Sequence, residues 1–383
     1  MKYNFDQVID RRKSDSIKWN LFDEDVLPLW VADMDFLSPP DVLHAIRKRV
    51  DHGLFGYTAA QDNTKVAVQK WLAKRHGWKV QTDEILIIPG VVQAFNVAAA
   101  AFSQPGDSVL IQTPAYHPFF DVSSNTSQKQ LISQLVCDSK GRYSPDSKQF
   151  TNSLRPDTRT FMLCNPHNPT GRVFTETELL SMAQSCLNNN TIICSDEIHS
   201  DIVYSGKKHI PIASLSSEIA NSTVTLVSTT KTFNLAGLKS SAVVIPNSRL
   251  RELYSKQLSG FVGSVNILGE IAMATAYEYG TEWLSELLRY LASNRQFLVD
   301  FVANELPGIS LSTPEGTYLA WLDCSKLGLK NPAEFFLDQA KVALNSGEWF
   351  GEVFKDHVRI NFGCPKKTLS DALERIKSSL HAR

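Results

Sequence analysis

Short apolar runs separated by stretches of helical periodicity dominate the middle of this chain. The runs at residues 85–88, 109–111, 161–163, 191–194, 224–227 and 242–245 are too short for typical helices and long enough for buried strands. Between them, residues 91–102 follow Gly90, and a segment of helical spacing opens at Thr175-Glu176 and runs to about residue 187. Such alternation predicts an α/β fold, a mostly parallel sheet covered by helices. A long helical pattern over residues 281–306 then leads away from it, and strand-like 318–322 with helix-like 333–344 predict a smaller α+β domain. The first 45 residues, with Pro28, Pro39 and Pro40, are expected to wrap back onto that smaller domain. The expected division is 46–285 for the large domain, and 1–45 with 286–383 for the small one.

At 383 residues, with 43% hydrophobic and 21% charged, the chain can bury a large core. Its net charge of −1 provides no overall positive field to draw it onto nucleic acid or anionic lipid, which favours small-molecule partners. The N-terminal residues lack the apolar block of a secretory signal. No window reaches the run of about 20 apolar residues needed to span a bilayer, the richest stretch being interrupted by Gln93 and Asn96. A cytoplasmic protein is expected. The six cysteines are scattered without a Cys-x-x-Cys pair, so reduced core thiols are expected, with Cys164 and Cys194 as small buried hydrophobes.

Three polar segments follow the apolar runs: Asn165-Pro166-His167-Asn168-Pro169-Thr170-Gly171, Ser195-Asp196-Glu197-Ile198-His199, and Ser228 to Lys239. Asn168, Asp196 and Ser228 thus fall near the carboxyl ends of the predicted strands, where open α/β sheets bind ligands. Lys231 and Asp196 have the chemistries of a pyridoxal-phosphate (PLP) site. A buried lysine forms a Schiff base with an aldehyde cofactor, and a carboxylate keeps a pyridine nitrogen protonated so that the ring accepts electrons. Asp196 follows Ile192-Ile193-Cys194, and a carboxylate at a buried strand end is costly unless paired; a pyridinium is such a partner.

Other positions can be read the same way. The Asn168 amide can donate to the cofactor's phenolic oxygen, although two Asn-Pro pairs and a glycine also describe a turn. Free N–H groups at Val91 and Val92, after Pro89-Gly90, can bind a phosphate that Ser228 and Lys239 also reach, although Lys239 alone reads as a surface lysine. Tyr116, between Pro114 and Pro118, can stack on a flat ring or simply pack. Arg359, in an apolar run, presents a planar fork suited to a substrate carboxylate. Two competing chemistries remain. Ser228-x-x-Lys231 is also a penicillin-binding nucleophile motif, but Ser-Asp-Asn and Lys-Thr-Gly partners do not occur in the chain. Asp196, Glu197, His199 and Asp201 can be read as metal ligands, but at none of the usual metal-site spacings.

With these motifs in order, the chain resembles fold-type I PLP enzymes of the class I/II aminotransferase superfamily over essentially its whole length. Pro28-Leu29-Trp30-Val31-Ala32-Asp33-Met34-Asp35-Phe36, Gly56-Tyr57, Asp196-Glu197-Ile198-His199 and Pro314-Glu315-Gly316-Thr317-Tyr318 are similar to the MalY/PatB branch of cystathionine β-lyases, also called cysteine-S-conjugate β-lyases. The resemblance implies the PLP-dependent transferase fold and Lys231 as the Schiff-base lysine. It implies Asp196 at the pyridine nitrogen, Asn168 near the phenolic oxygen and Tyr116 on the ring. Ser228, Lys239 and the backbone of Val91 and Val92 would surround the phosphate, and Arg359 would take the substrate carboxylate with Ala32 nearby. A homodimer with shared sites is implied, Tyr57 reaching the partner's phosphate, and Trp30 and Tyr57 are candidates to line the side-chain pocket. His199 stands where many relatives have tyrosine, and Lys239 where many have arginine; both keep a hydrogen-bond donor. The implied reaction is β-elimination from a cysteine S-conjugate. Amino-group transfer to a 2-oxo acid is the alternative, and a PLP-containing regulatory protein with little turnover is a third reading.

Overall fold

The computed structural model describes residues 2–58 and 62–383. Its main sheet is built from β1 (Ile85–Ile88), β2 (Ser108–Thr113), β3 (Lys129–Gln134), β4 (Thr158–Cys164), β5 (Ile192–Asp196), β6 (Thr223–Val227) and β7 (Ser241–Val244), in the spatial order β1-β7-β6-β5-β4-β2-β3. Only β7 runs against its neighbours; every other pairing is parallel. Alternate side chains enter two cores. Leu110, Phe161, Leu163 and Ile193 pack toward α2 (Glu176–Asn188), while Ile111, Met162, Cys164 and Cys194 pack toward α1 (Val91–Phe102). Each such apolar side chain contributes about 1.5–3 kcal/mol on full burial, which pins the register of every strand.

The helices follow from their caps and stripes. In α2 the Thr175 hydroxyl accepts from the Glu178 N–H at 3.2 Å, and the Glu178 carboxylate accepts from the Thr175 N–H at 2.7 Å, a reciprocal capping box. The 25-residue α3 (Thr281–Glu305) buries Trp283, Leu284, Leu287, Tyr290, Leu291, Leu298 and Val302 along one face. No helix among the described residues is long and apolar enough to cross a membrane.

A second, antiparallel sheet contains β8 (Ser310–Leu311), β9 (Leu319–Asp323), β10 (Asn345–Ser346) and β11 (His357–Asn361), in the order β8-β9-β11-β10. The N-terminal stretch does join this region. Leu27 and Pro28 pair in parallel with Val342 and Ala343, and the N–H of Asn361 donates to the Leu29 carbonyl at 2.9 Å.

Three details differ from expectation. The helix expected over 333–344 is Pro332–Ala340, because Lys341 adopts φ +55° and turns the following apolar residues into a short strand. Edge strand β3 had no apolar run to announce it, since only Leu131 and Ser133 are buried in it. Five cysteines are buried, but Cys137 is exposed rather than a core thiol.

Candidate active site

The carboxyl ends of β4, β5 and β6 converge on a cavity of about 310 Å³. Asp196, the last residue of β5, forms part of its wall, and Ile198 N–H donates to Asp196 Oδ1 at 3.1 Å. Burial pushes the Asp196 carboxyl up to about 7 against the pull of that hydrogen bond and of Lys231. Among the described residues it has no ion-pair partner. Lys231 follows β6 on a single helical turn, Thr229–Thr232, whose N-cap is Ser228. Its Nζ donates to the Ala32 carbonyl at 2.6 Å. Burial lowers the Lys231 amine to about 8, opposed by the nearby Asp33 charge.

Ala32 is held against Lys231 by the N-terminal stretch. The Asn234 amide donates to the Met34 and Phe36 carbonyls at 2.9 and 2.7 Å, and Asn361 donates to Val31 and Asp33 carbonyls at 2.7 and 2.9 Å. Asp35, itself buried, accepts from Arg11 and fully buried Lys18, both at 2.7 Å. Two cations on one buried carboxylate offset its desolvation and fix the strand-like segment in place.

Opposite, the first turn of α1 opens on Gly90, at φ +113°, and places Val91 and Val92 at the cavity. The unpaired N–H groups of a helix's first turn favour an anion, and Lys239 adds a positive charge on the same cavity wall. Tyr116, Asn168 and His199 complete the lining. Burial pushes the Tyr116 phenol up to about 12, with Asp196 adding to the rise and Arg359 opposing it. His199 is buried, its ring edge-on to Tyr318 at 5.8 Å, and its Nδ1 has no hydrogen-bond partner among the described residues. Burial and the charges of Lys231 and Arg359 hold the His199 imidazole well below its usual range, so it is neutral.

Arg359, on β11, sits one hydrogen bond behind the cavity. Its Nη1 donates to Asn168 Oδ1 at 2.9 Å and its Nη2 to the Trp30 carbonyl at 2.7 Å and to Asn345 Oδ1, while Nε is buried and unpaired among the described residues. Burial lowers this guanidinium to about 10, which leaves it charged at neutral pH.

Not every expected residue reaches the cavity. Ser228 lies behind it, its hydroxyl donating to the Ser240 carbonyl at 2.7 Å and capping Thr230 N–H at 3.1 Å. Trp30 contributes its carbonyl to Arg359, while its ring packs edge-on to Phe22 at 6.0 Å. Tyr57 is fully exposed and shares a surface groove with residues 264–268. Nor do the four acidic and histidine positions converge. Glu197 faces His209, and Asp201 accepts from Trp71 and His76, each inside its own network.

Residues 24–376 match the family model for aminotransferase class I and II. The chain belongs to the class I and II aminotransferase family. Within the family it is 40% identical to "Cystathionine beta-lyase PatB" of Bacillus subtilis (strain 168), over 98% of this chain and 100% of that protein. Cystalysin from Treponema denticola, solved with a pyridoxal 5'-phosphate cofactor, superposes with a TM-score of 0.96 at 32% identity, covering 100% of both chains. A PLP-bound C-S lyase from Staphylococcus hominis gives 0.93 at 33% identity, covering 99% of each. Fold-type I architecture is thus shared with these family members.

The residues fit PLP on their own chemistry. The cavity offers a buried carboxylate with no cation for a pyridinium, an amine of lowered basicity for an aldehyde, and a helix N-terminus with a lysine for a phosphate. The family member's less conspicuous contributors are Tyr318, whose hydroxyl shares the Ala32 carbonyl at 3.0 Å, and Asn345, which anchors Arg359. Tyr318 ends a recognised motif, whereas Asn345 carried no signal in the sequence.

Proposed function

We propose that this protein is a PLP-dependent C–S lyase that cleaves cysteine S-conjugates such as L-cystathionine by β-elimination, giving a thiol (homocysteine from cystathionine), pyruvate and ammonia. One observation carries the reading: Lys231, with its amine lowered to about 8, and the uncompensated Asp196 share one cavity with Asn168, itself bonded to Arg359. The cystathionine β-lyase and C-S lyase names of relatives matching the full chain support it.

When bound, PLP supplies an electron sink for the substrate's α-carbon. Asp196 holds the proton of the pyridine nitrogen. Asn168 has its Oδ1 taken by Arg359, and its Nδ2 protons would be the ones to donate to the phenolic oxygen. Arg359 takes the substrate carboxylate, and its unpaired Nε is a further donor for it. Once the substrate's amino group had displaced it from the cofactor, Lys231 Nζ would be free to take up the α-proton, and the carbon–sulfur bond would break with its electron pair leaving on sulfur as thiolate. Released aminoacrylate takes up water to give pyruvate and ammonia. His199, neutral with a free ring nitrogen, and Tyr116 would border the ring, and Lys239 with the N–H groups of Val91 and Val92 would hold the phosphate. Ser228 caps the turn that presents Lys231.

The same reading assigns residues 46–285 to a large cofactor-binding domain and 1–45 with 286–383 to a small one. It places the protein in the cytoplasm as a homodimer, with exposed Tyr57 reaching the partner's phosphate and Trp30 near the side-chain pocket. The experiment is to incubate the PLP-loaded protein with L-cystathionine, without any 2-oxo acid, and follow pyruvate and free thiol. Equal release of both is expected. Neither product, with amino-group transfer to an added 2-oxo acid instead, would make it an aminotransferase.

A further inference from the structure

Behind the cavity, and touching none of it, a buried histidine joins two of the loops that build it. His209 and Glu197 are almost fully buried, with His209 Nε2 at 2.7 Å from Glu197 Oε2. The other Glu197 oxygen accepts from the Ser195 hydroxyl at 2.9 Å and from Ile212 N–H at 3.1 Å. On the far side of the ring, His209 Nδ1 lies 3.5 Å from Asn165 Nδ2.

These contacts settle the direction of each hydrogen bond. The Asn165 Oδ1 is occupied by Phe174 N–H at 3.0 Å, so the amide nitrogen is the group that faces His209. An amide NH₂ only donates, so Nδ1 accepts and the ring proton sits on Nε2, donating to Glu197. A single imidazole therefore links Asn165, three residues before Asn168, to Glu197, the neighbour of Asp196. The backbone repeats the link, since Asn165 N–H donates to the Asp196 carbonyl at 3.0 Å.

We propose that His209 is a positioning residue for the cofactor: it sets the spacing between the loop that carries Asn168 and the strand end that carries Asp196. This rests on the PLP reading, in which these two side chains meet opposite parts of one rigid ring. An error in their separation cannot be absorbed by the ligand. Residues that orient the groups touching a bound species commonly change its affinity by about tenfold or more when removed, without touching it themselves.

The test uses apo-protein prepared from the wild type, His209→Ala and His209→Gln, titrated with PLP while its visible absorption is recorded, with thermal melts of the apo forms in parallel. A glutamine can place a donor where Nε2 meets Glu197, but its amide oxygen does not then occupy the Nδ1 position that faces Asn165. His209→Ala is expected to bind PLP about tenfold more weakly and to shift the absorption band of the bound cofactor, and His209→Gln to fall between it and the wild type. A lowered melting temperature with unchanged affinity and band in both variants overturns the proposal and makes His209 a packing residue. If His209→Ala does not fold, His209→Gln decides alone: wild-type affinity and band overturn the proposal. A wild-type protein that takes up no PLP overturns the parent reading, and this one with it, and is recognised before any variant is made.

Discussion

Arg359 Nη1 donates to Asn168 Oδ1 at 2.9 Å, which ties the central strand of the small sheet to the loop following β4 in the large one. The guanidinium is buried, charged and paired with no carboxylate among the described residues, a state that costs free energy until an anion arrives. Arg359→Lys keeps the charge but loses the fork that reaches Asn168, Asn345 and the Trp30 carbonyl together. It is expected to lower kcat/KM for cystathionine by on the order of 100-fold, mainly through KM, with PLP affinity changed only a few-fold. Steady-state kinetics beside a PLP titration measure both.

Asp196→Asn should stabilise the cofactor-free protein. In the folded chain this carboxyl titrates at about 7, against an ordinary value of 3.8, chiefly because of burial. Between those values the folded state binds a proton that the unfolded state releases, so stability falls as pH rises from about 4 to about 7 and the full penalty stands above 7. Asparagine removes the charge and can still accept from Ile198 N–H. The apo variant is expected to gain a few kcal/mol at pH 8 and little at pH 4, while losing most of its turnover when PLP is added. Denaturant melts at the two pH values check the first part, and pyruvate release the second.

Lys231 gives the corresponding kinetic prediction. Capture of an aldehyde needs the neutral amine, and burial has brought the Lys231 amine from 10.5 to about 8. The rate of PLP uptake by apo-protein is therefore expected to rise with pH and level off just above 8, where an ordinary lysine would still be climbing. Stopped-flow absorbance across pH 6.5–10 follows this. Lys231→Ala should show no such profile and nearly no turnover.

What was legible in the sequence follows the physics of burial. Helix Val91–Phe102 and strand Ile85–Ile88 have the boundaries expected of them, because an uninterrupted apolar segment beside a glycine leaves little choice. Lys231, Asp196 and Arg359 stood out for a related reason: charged residues at or near the ends of apolar runs must have a use or a partner. Strand Lys129–Gln134 was illegible because an edge strand solvated on one face reads as polar coil. Asn345 and His209 act through contacts with residues 12 and more positions away, and no local pattern encodes such pairings. Ser228 marks the opposite failure. Its position was legible, but whether its hydroxyl meets a ligand or the Ser240 carbonyl depends on a turn that closes 12 residues later.

Glu315 joins the large-sheet side of the molecule to the segment that feeds the small sheet. Glu315 accepts from Val173 N–H at 2.9 Å and from Lys207 Nζ at 2.8 Å, and lies 3.5 Å from Nε of Arg172, a side chain only 1% exposed. Around it, Gly316 has no room for a side chain, since a Cβ there would lie 2.9 Å from the Ile202 carbonyl oxygen and 3.0 Å from Val173. This segment runs directly into β9, whose Trp321 is paired with Arg359, so its placement is passed to the carboxylate-binding side of the cavity. Arg142 Nε also lies 3.7 Å from Glu315, and the three ion pairs differ in value. Lys207 is 40% exposed and Arg142 36%, so solvent screens each of their contributions to within about 1 kcal/mol, whereas the buried Arg172 keeps its Glu178 pair at 2.7 Å but loses its second carboxylate where no water can replace it. Glu315→Gln is therefore expected to cost about 1–3 kcal/mol in urea unfolding and to raise KM more than it lowers kcat. Lys207→Met should leave both nearly unchanged. Equal effects from the two substitutions would place the join in the exposed pair instead, and would break the proposed route from Glu315 to Arg359.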